Sequence, residues 1–456
     1  MAVEKTFIVW HKEPELLGPA KPTPQETKEL SDIDDQKGLR FHFCMIMFYR
    51  ANPLMKGKDP VEAIRDAVAE ALVWYYPLAG RLIQGPKDKF MVDCSAQGIS
   101  FIEADCSFSL EDLGDAIKPP CLYSKEFLYE VPGSDEMLGC PLMVVQVTRL
   151  ICGGFVVAIR VNHVLTDGLG LSQFVKAVRE LAQGSSSPST KPIWNRELLT
   201  AKNLPLIQTT YDHPEYNLVS HENDPTMDHQ NLVSQSFFFG PKEISAIRRK
   251  LPPEARRSSK FDVITACIWR SRTRALKVKR DEQVSIACMV NIRNKSPVPL
   301  PTGYYGNGAI TPAAATEAGR LCDNPLEYAV ELVEKAKEKV DEDYVKSVVN
   351  FMDLKGRPEI LRSERNYVVS DSSKLGFDGV DFGWGKPVYG GTMEGGSGNN
   401  SIYAPYRKTN GEAGVLVPVF LPPAAMKRFE VELKKLIAME SGEFSEPSKP
   451  FLNSAL

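Results

Sequence analysis

Apolar and polar positions alternate with two periods along this chain. The run 41–49 is apolar and aromatic enough for a strand. Asp59-Pro60 then opens a helix, with the aspartate as N-cap and proline in the first turn. Val61, Ile64, Val68, Leu72 and Tyr75 lay an apolar stripe along it, and Pro77 ends it. Strands are expected over 90–92, 100–103, 143–148 and 155–161, followed by a helix over 170–181. Between 184 and 233 the periodicity fails, and Ser, Pro, His, Asp and Asn cluster. A stretch of that length reads as a surface crossover between two domains. Beyond it the spacing predicts a strand over 234–239, helices over 242–251 and 262–276, and a strand over 284–292. A single long charged helix over 326–354 and a final helix over 424–438 follow. The expected organisation is a domain over 1–183, a crossover over 184–233 and a second domain over 234–456, both α/β with mixed sheets.

Composition narrows the function classes. Of 456 residues, 43% are hydrophobic and 25% charged, and the formal net charge is -3. Such a balance gives no reason to expect a nucleic-acid partner. No apolar stretch is long enough to span a bilayer, and the first residues lack a secretory core, so a cytoplasmic enzyme without membrane insertion is expected. The terminal Ser454-Ala455-Leu456 lacks the central lysine of the peroxisomal S-K-L address, which leaves the peroxisome as the lesser alternative. Nine irregularly spaced cysteines, none in a C-x-x-C pair, read as reduced buried thiols.

The chemistry concentrates in one segment. The strand over 155–161 delivers His163 at its end, and Asp167-Gly168 follows four residues later. Histidine suits proton transfer near neutral pH. Asp167 can bond His163 or fix the loop by pairing with a cation elsewhere. His163 and Asp167 could also share a metal, but no third ligand accompanies them, so no metal is expected. Gly395-Gly396-Ser397-Gly398-Asn399 narrowly misses G-x-S-x-G. Gly168-Leu169-Gly170 does not continue to G-x-G-x-x-G. Ser258-Ser259-Lys260 before the helix at Asp262 offers hydroxyls, a cation and a helix N-terminus, with Arg256 and Arg257 nearby. That is a candidate phosphate site for coenzyme A, or an ordinary capped helix start.

His163-Val164-Leu165-Thr166-Asp167-Gly168 resembles the H-x-x-x-D-G motif of the plant BAHD acyltransferases, and Asp381-Phe382-Gly383-Trp384-Gly385 their D-F-G-W-G signature. Tyr75-Tyr76-Pro77-Leu78-Ala79-Gly80-Arg81, Asn291-Ile292-Arg293 and Tyr304-Tyr305-Gly306-Asn307 are similar to the family's smaller marks. The resemblance implies two chloramphenicol-acetyltransferase-like domains with a channel between them and the histidine mid-channel. It implies acyl-CoA as co-substrate, an alcohol as acceptor, no permanently bound cofactor, and His163 as general base. It casts Asp167 as loop support paired with Arg293. Asp381 becomes a candidate for catalytic support, and Trp384 with Gly383 for oxyanion or channel contact, against a packing role. Asn162 stands where peptide-forming condensation domains carry a second histidine, which argues against that branch. The segments 14–20 and 30–36 are similar to those of alcohol acyltransferases that make benzoyl and volatile esters, benzyl alcohol O-benzoyltransferases among them. Aromatic and thioether walls for such a substrate are expected from 41–49 and from Tyr304-Tyr305. A larger alkaloid or terpenoid alcohol is the alternative acceptor, and a non-catalytic acyl-CoA binding protein is the alternative of a different class. The chain is expected to act as a monomer.

Overall fold

Strand His42–Tyr49 is apolar on both faces because both are covered. Met45, Met47 and Tyr49 enter the core beneath helices Pro60–Trp74 and Gly168–Ala182, whereas Ile46 and Phe48 enter a second cluster with Phe127 and Tyr389. Each such side chain, fully buried, contributes about 1.5–3 kcal/mol. The strand is part of a seven-stranded mixed sheet, in the order Val9–His11, Ile99–Cys106, Met143–Leu150, Phe155–Asn162, His42–Tyr49, Tyr389–Thr392, with Glu15–Leu17 also on Ile99–Cys106. Ile99–Cys106 runs parallel to Met143–Leu150, and the other pairings are antiparallel. Helix Pro60–Trp74 starts as its sequence requires: the Asp59 side chain accepts from the Val61 amide at 3.1 Å.

A second seven-stranded sheet runs Val233–Phe239, Ala413–Leu421, Asn400–Arg407, Asn366–Asp371, Gln283–Cys288, Ala313–Glu317, with Gly396–Ser397 beside Asn400–Arg407. Helices Lys260–Leu276, Leu326–Glu338 and Pro423–Ile437 cover it, and Trp269, Val330 and Phe429 lie in their shared core. This computed structural model describes residues 6–134, 136–204, 211–216, 231–295, 299–358 and 365–438. Ser454-Ala455-Leu456 and much of the expected crossover lie outside them.

Three expectations change. The stretch 326–354 is two helices, Leu326–Glu338 and Glu342–Leu354. Asp341 interrupts it as an N-cap, its side chain accepting from the Tyr344 amide at 2.8 Å. Strands lie between 366 and 421 where none is expected; glycines and prolines interrupt the alternation of those after 389, and even Pro418 sits inside Ala413–Leu421, opposite Ser236. The boundary at 234 does not divide the chain cleanly. Tyr389–Thr392 completes the first sheet on His42–Tyr49, and Phe377, Val380, Phe382 and Trp384 lie in the first core. Among the described residues no helix is long and apolar enough to cross a membrane.

Candidate active site

Strand Phe155–Asn162 ends one residue before His163. The His163 amide donates to the Phe41 carbonyl at 2.8 Å, and the imidazole lies between the rings of Phe41 and Phe43, centroids 5.0 and 4.7 Å away. The residue is half-buried. Its Nδ1 is sealed from solvent and hydrogen-bonds to none of the described residues. Burial lowers the imidazole pKa below its ordinary 6.5; the residue's own backbone, Asp167, Asn307 and Asp34 pull the other way without cancelling it. His163 is therefore neutral at neutral pH, the state a general base needs.

Asp167 does not reach the imidazole. Its Oδ1 accepts from Arg293 Nη2 and the Gly170 amide, both at 2.9 Å. Its Oδ2 accepts from Arg293 Nη1 at 2.9 Å and the Gly308 amide at 3.0 Å. Burial alone would raise this carboxyl's pKa, but Arg293 and the two amides outweigh it and hold it below 3.8. Asp167 thus caps helix Gly168–Ala182 and ties its start to the segment 291–308. Gly170 permits the approach, since a Cβ there would fall 2.0 Å from the Tyr305 carbonyl oxygen.

Asp381, Gly383 and Trp384 are not brought to His163. Asp381 Oδ1 accepts from the amides of Gly383 (2.7 Å) and Gly385 (2.8 Å), folding the loop on itself. Phe382 packs on Tyr49, and Trp384 meets Phe155 edge-on at 5.5 Å. Tyr49 pairs with Phe155 at one end of the strand pair, and His42 with Asn162 at the other. The seven steps from Phe155 to Asn162 span roughly 23 Å. Trp384 thus packs in the first core and Gly383 sits in the turn closed by Asp381, at the far end of the strand pair from His163 rather than in the oxyanion, channel and support positions expected of these residues. Tyr304 and Tyr305 are also buried, stacked with Arg196 rather than lining a substrate wall.

Ser258, Ser259 and Lys260, where helix Lys260–Leu276 starts, take different places. Ser259 caps it: its hydroxyl accepts from the Asp262 amide at 3.2 Å and donates to Asp262 Oδ2 at 2.7 Å. Ser258 is buried, and its carbonyl accepts from Arg248. Lys260 lines a cleft of about 750 Å³ with Arg248, Arg249 and Arg256; Asp378, Tyr389 and Gly390 also form part of its wall. Those wall residues belong to the segment that returns to the first sheet, so the cleft opens where the two sheets meet. His163 is not one of its lining residues.

Other residues at the site carry only a weak sequence signal. Asp32, Asp34 and Asp35 are all buried, and Asp34 touches Asn307 beside His163. The signal available was a run of carboxylates around the apolar Ile33, a poor pattern for a solvated surface. His213 is buried against Glu215 and Ser347. Of the cysteines, all free, only Cys152 is fully exposed, and burial pushes the thiols of Cys94, Cys121, Cys267 and Cys288 up to about 12.

Residues 7–436 match the Transferase family. A benzyl alcohol O-benzoyltransferase of Petunia hybrida is 50% identical over 438 residues, covering 95% of this chain and 95% of the relative. The crystal structure of vinorine synthase aligns with a TM-score of 0.72 at 24% identity, over 94% of this chain and 98% of that one. TRI101 of F. graminearum, complexed with ethyl coenzyme A, aligns with a TM-score of 0.71 at 16% identity, over 90% of this chain and 99% of that one. The last two likenesses establish the fold. With the relative's identity and the family match spanning nearly the whole chain, the protein belongs to the Transferase family and is an acyltransferase of the BAHD type.

Proposed function

We propose that this chain transfers an acyl group, benzoyl or a similar aromatic acyl, from coenzyme A to benzyl alcohol or another small alcohol, with His163 as general base. The observation that carries the mechanism is the imidazole held at a strand end between Phe41 and Phe43 with its Nδ1 sealed, where burial lowers its pKa. An alcohol is a weak nucleophile at neutral pH. His163 Nε2 takes its proton as the oxygen attacks the thioester carbonyl. The tetrahedral intermediate collapses, the C–S bond breaks, and the imidazolium returns the proton to the departing thiolate. Ester and free coenzyme A result, with no acyl-enzyme.

Coenzyme A is assigned to the cleft containing Lys260, Arg248, Arg249 and Arg256, whose cations suit its phosphates. The pantetheine arm would run from there along His42–Tyr49 toward His163. Phe41 and Phe43 offer a flat aromatic acyl group two faces beside the base. The benzoyl assignment is supported by the Petunia hybrida relative's activity.

The test is product formation from acetyl-, hexanoyl-, benzoyl- and hydroxycinnamoyl-CoA with small and polycyclic alcohols, by wild type and His163→Ala. Wild type should form benzyl benzoate and accept several donors, because apolar pockets discriminate only about 10–200-fold per methylene. His163→Ala should lose about 10²-fold or more in kcat while still binding acyl-CoA. Near-normal turnover of the folded variant would remove the base. Acylation of polycyclic alcohols alone would remove the substrate assignment and leave the reaction type.

A further inference from the structure

Two contacts that hold the His163 loop converge on one buried carboxylate which the proposed chemistry does not use. Asp34 Oδ1 accepts from the Asn307 amide at 2.9 Å and from Asn307 Nδ2 at 2.8 Å. Its Oδ2 accepts from the Ser31 amide and hydroxyl, at 3.1 and 2.6 Å, and faces Arg196 Nε at 3.4 Å. Asn307 Nδ2 also donates to the His163 carbonyl at 2.8 Å, so both hydrogens of its amide are used. Arg196 Nη2 donates to the Leu165 carbonyl at 2.7 Å.

From these contacts we propose that Asn307 and Arg196, moored on Asp34, are positioning residues that fix the main chain from His163 to Leu165 and hence the aim of the imidazole. The inference rests on the reading of His163 as base. With its amide on Phe41 and its carbonyl on Asn307, His163 is gripped on both sides of its Cα. The anchors are themselves immobile. The Arg196 guanidinium lies over the rings of Trp194, Tyr304 and Tyr305 at 4.4, 5.1 and 5.0 Å. Gly306 leaves it room, since a Cβ there would sit 1.0 Å from Nη1. The Asp34 and Arg196 side chains are 0% and 1% exposed. An ion pair so deeply buried adds little net stability, because desolvation offsets the attraction; what it supplies is fixed geometry.

The arrangement also balances charge around the base. The titratable and charged groups around His163 are Asp34, Asp167, Arg196, Arg293, Tyr304 and, opposite Asn162 on the neighbouring strand, His42. Asp34 favours the imidazolium and Arg196 opposes it. Removing one leaves the other uncompensated, which a purely structural contact would not do.

The experiment compares Asn307→Ala, Asp34→Asn, Arg196→Met and His163→Ala in kcat, KM for both substrates, the acid limb of kcat/KM and melting temperature. Asn307→Ala should lose about 10-fold or more in kcat with KM for acyl-CoA little changed, the signature of a misaimed base. Asp34→Asn should move the acid limb to lower pH and Arg196→Met to higher pH. A folded Asn307→Ala with wild-type kcat overturns the proposal, as does an acid limb that neither charge variant moves. If Asn307→Ala or Arg196→Met does not fold, the near-isosteric Asp34→Asn decides by its acid limb alone. An active His163→Ala would instead bring down the base itself, whereas an inactive His163→Ala beside a fully active Asn307→Ala removes only the positioning role.

Discussion

His163 and Asp167 lie four residues apart, and both have lowered pKa values for opposite reasons. Burial keeps the imidazole neutral; Arg293 and two backbone amides keep the carboxylate charged despite burial. For both, the unfolded chain binds protons more readily. Their stabilising contributions are thus complete above the ordinary values of 6.5 and 3.8 and are lost as pH falls through the lowered folded values. The acid limb of kcat/KM, which reports the free enzyme, should accordingly inflect below 6.5; an inflection above that value would mean the imidazolium is favoured. Asp167→Ala leaves Arg293 partly buried without its partner, at a cost of about 3–5 kcal/mol. Chemical denaturation should show that loss alongside reduced activity. Unchanged stability with a displaced pH profile would mean that Asp167 acts on His163 directly.

Among the elements, helix Lys260–Leu276 begins with a capping residue followed by one that lines the cleft. Ser259 spends its hydroxyl on Asp262, as a cap does, while Lys260 faces the cleft. Ser259→Ala should cost about 0.5–2 kcal/mol of stability and leave KM for acyl-CoA nearly unchanged. Lys260→Ala should raise that KM with little loss of stability. The reverse pattern would move the phosphate contact to the serine. The helix starts were legible because a cap is local: Asp59 and Ser259 act on amides two and three residues away. The strands after 366 were not, because their residues are chosen by neighbours distant in sequence, such as Ser236 opposite Pro418.

Over the whole molecule, the segment 377–393 binds the two sheets to each other. It leaves the second half of the chain, fills the first core with Phe382 and Trp384, and closes the first sheet with Tyr389–Thr392 before returning. The D-F-G-W-G signature is therefore a packing device far from the chemistry. Trp384→Ala should lower stability by about 3–5 kcal/mol, measured by denaturant titration, with kcat of the folded enzyme near wild type. A loss near 10²-fold in kcat at unchanged stability would reinstate the indole as an oxyanion donor.

The sequence by itself determined the fold class, the reaction type and the strand that delivers His163, because these depend on periodicity, caps and motifs confined to short windows. Recognition of the motifs also drew attention to Arg293 as a partner for Asp167. Only the tertiary structure decided that Nδ1 of His163 is sealed and that Trp384 lies at the wrong end of the strand pair. It alone brought Asp34, Arg196 and Asn307 together behind His163. Those outcomes depend on burial and on contacts between residues more than a hundred positions apart, where a charged residue such as Asp34 is kept by its partners rather than by its neighbours in sequence.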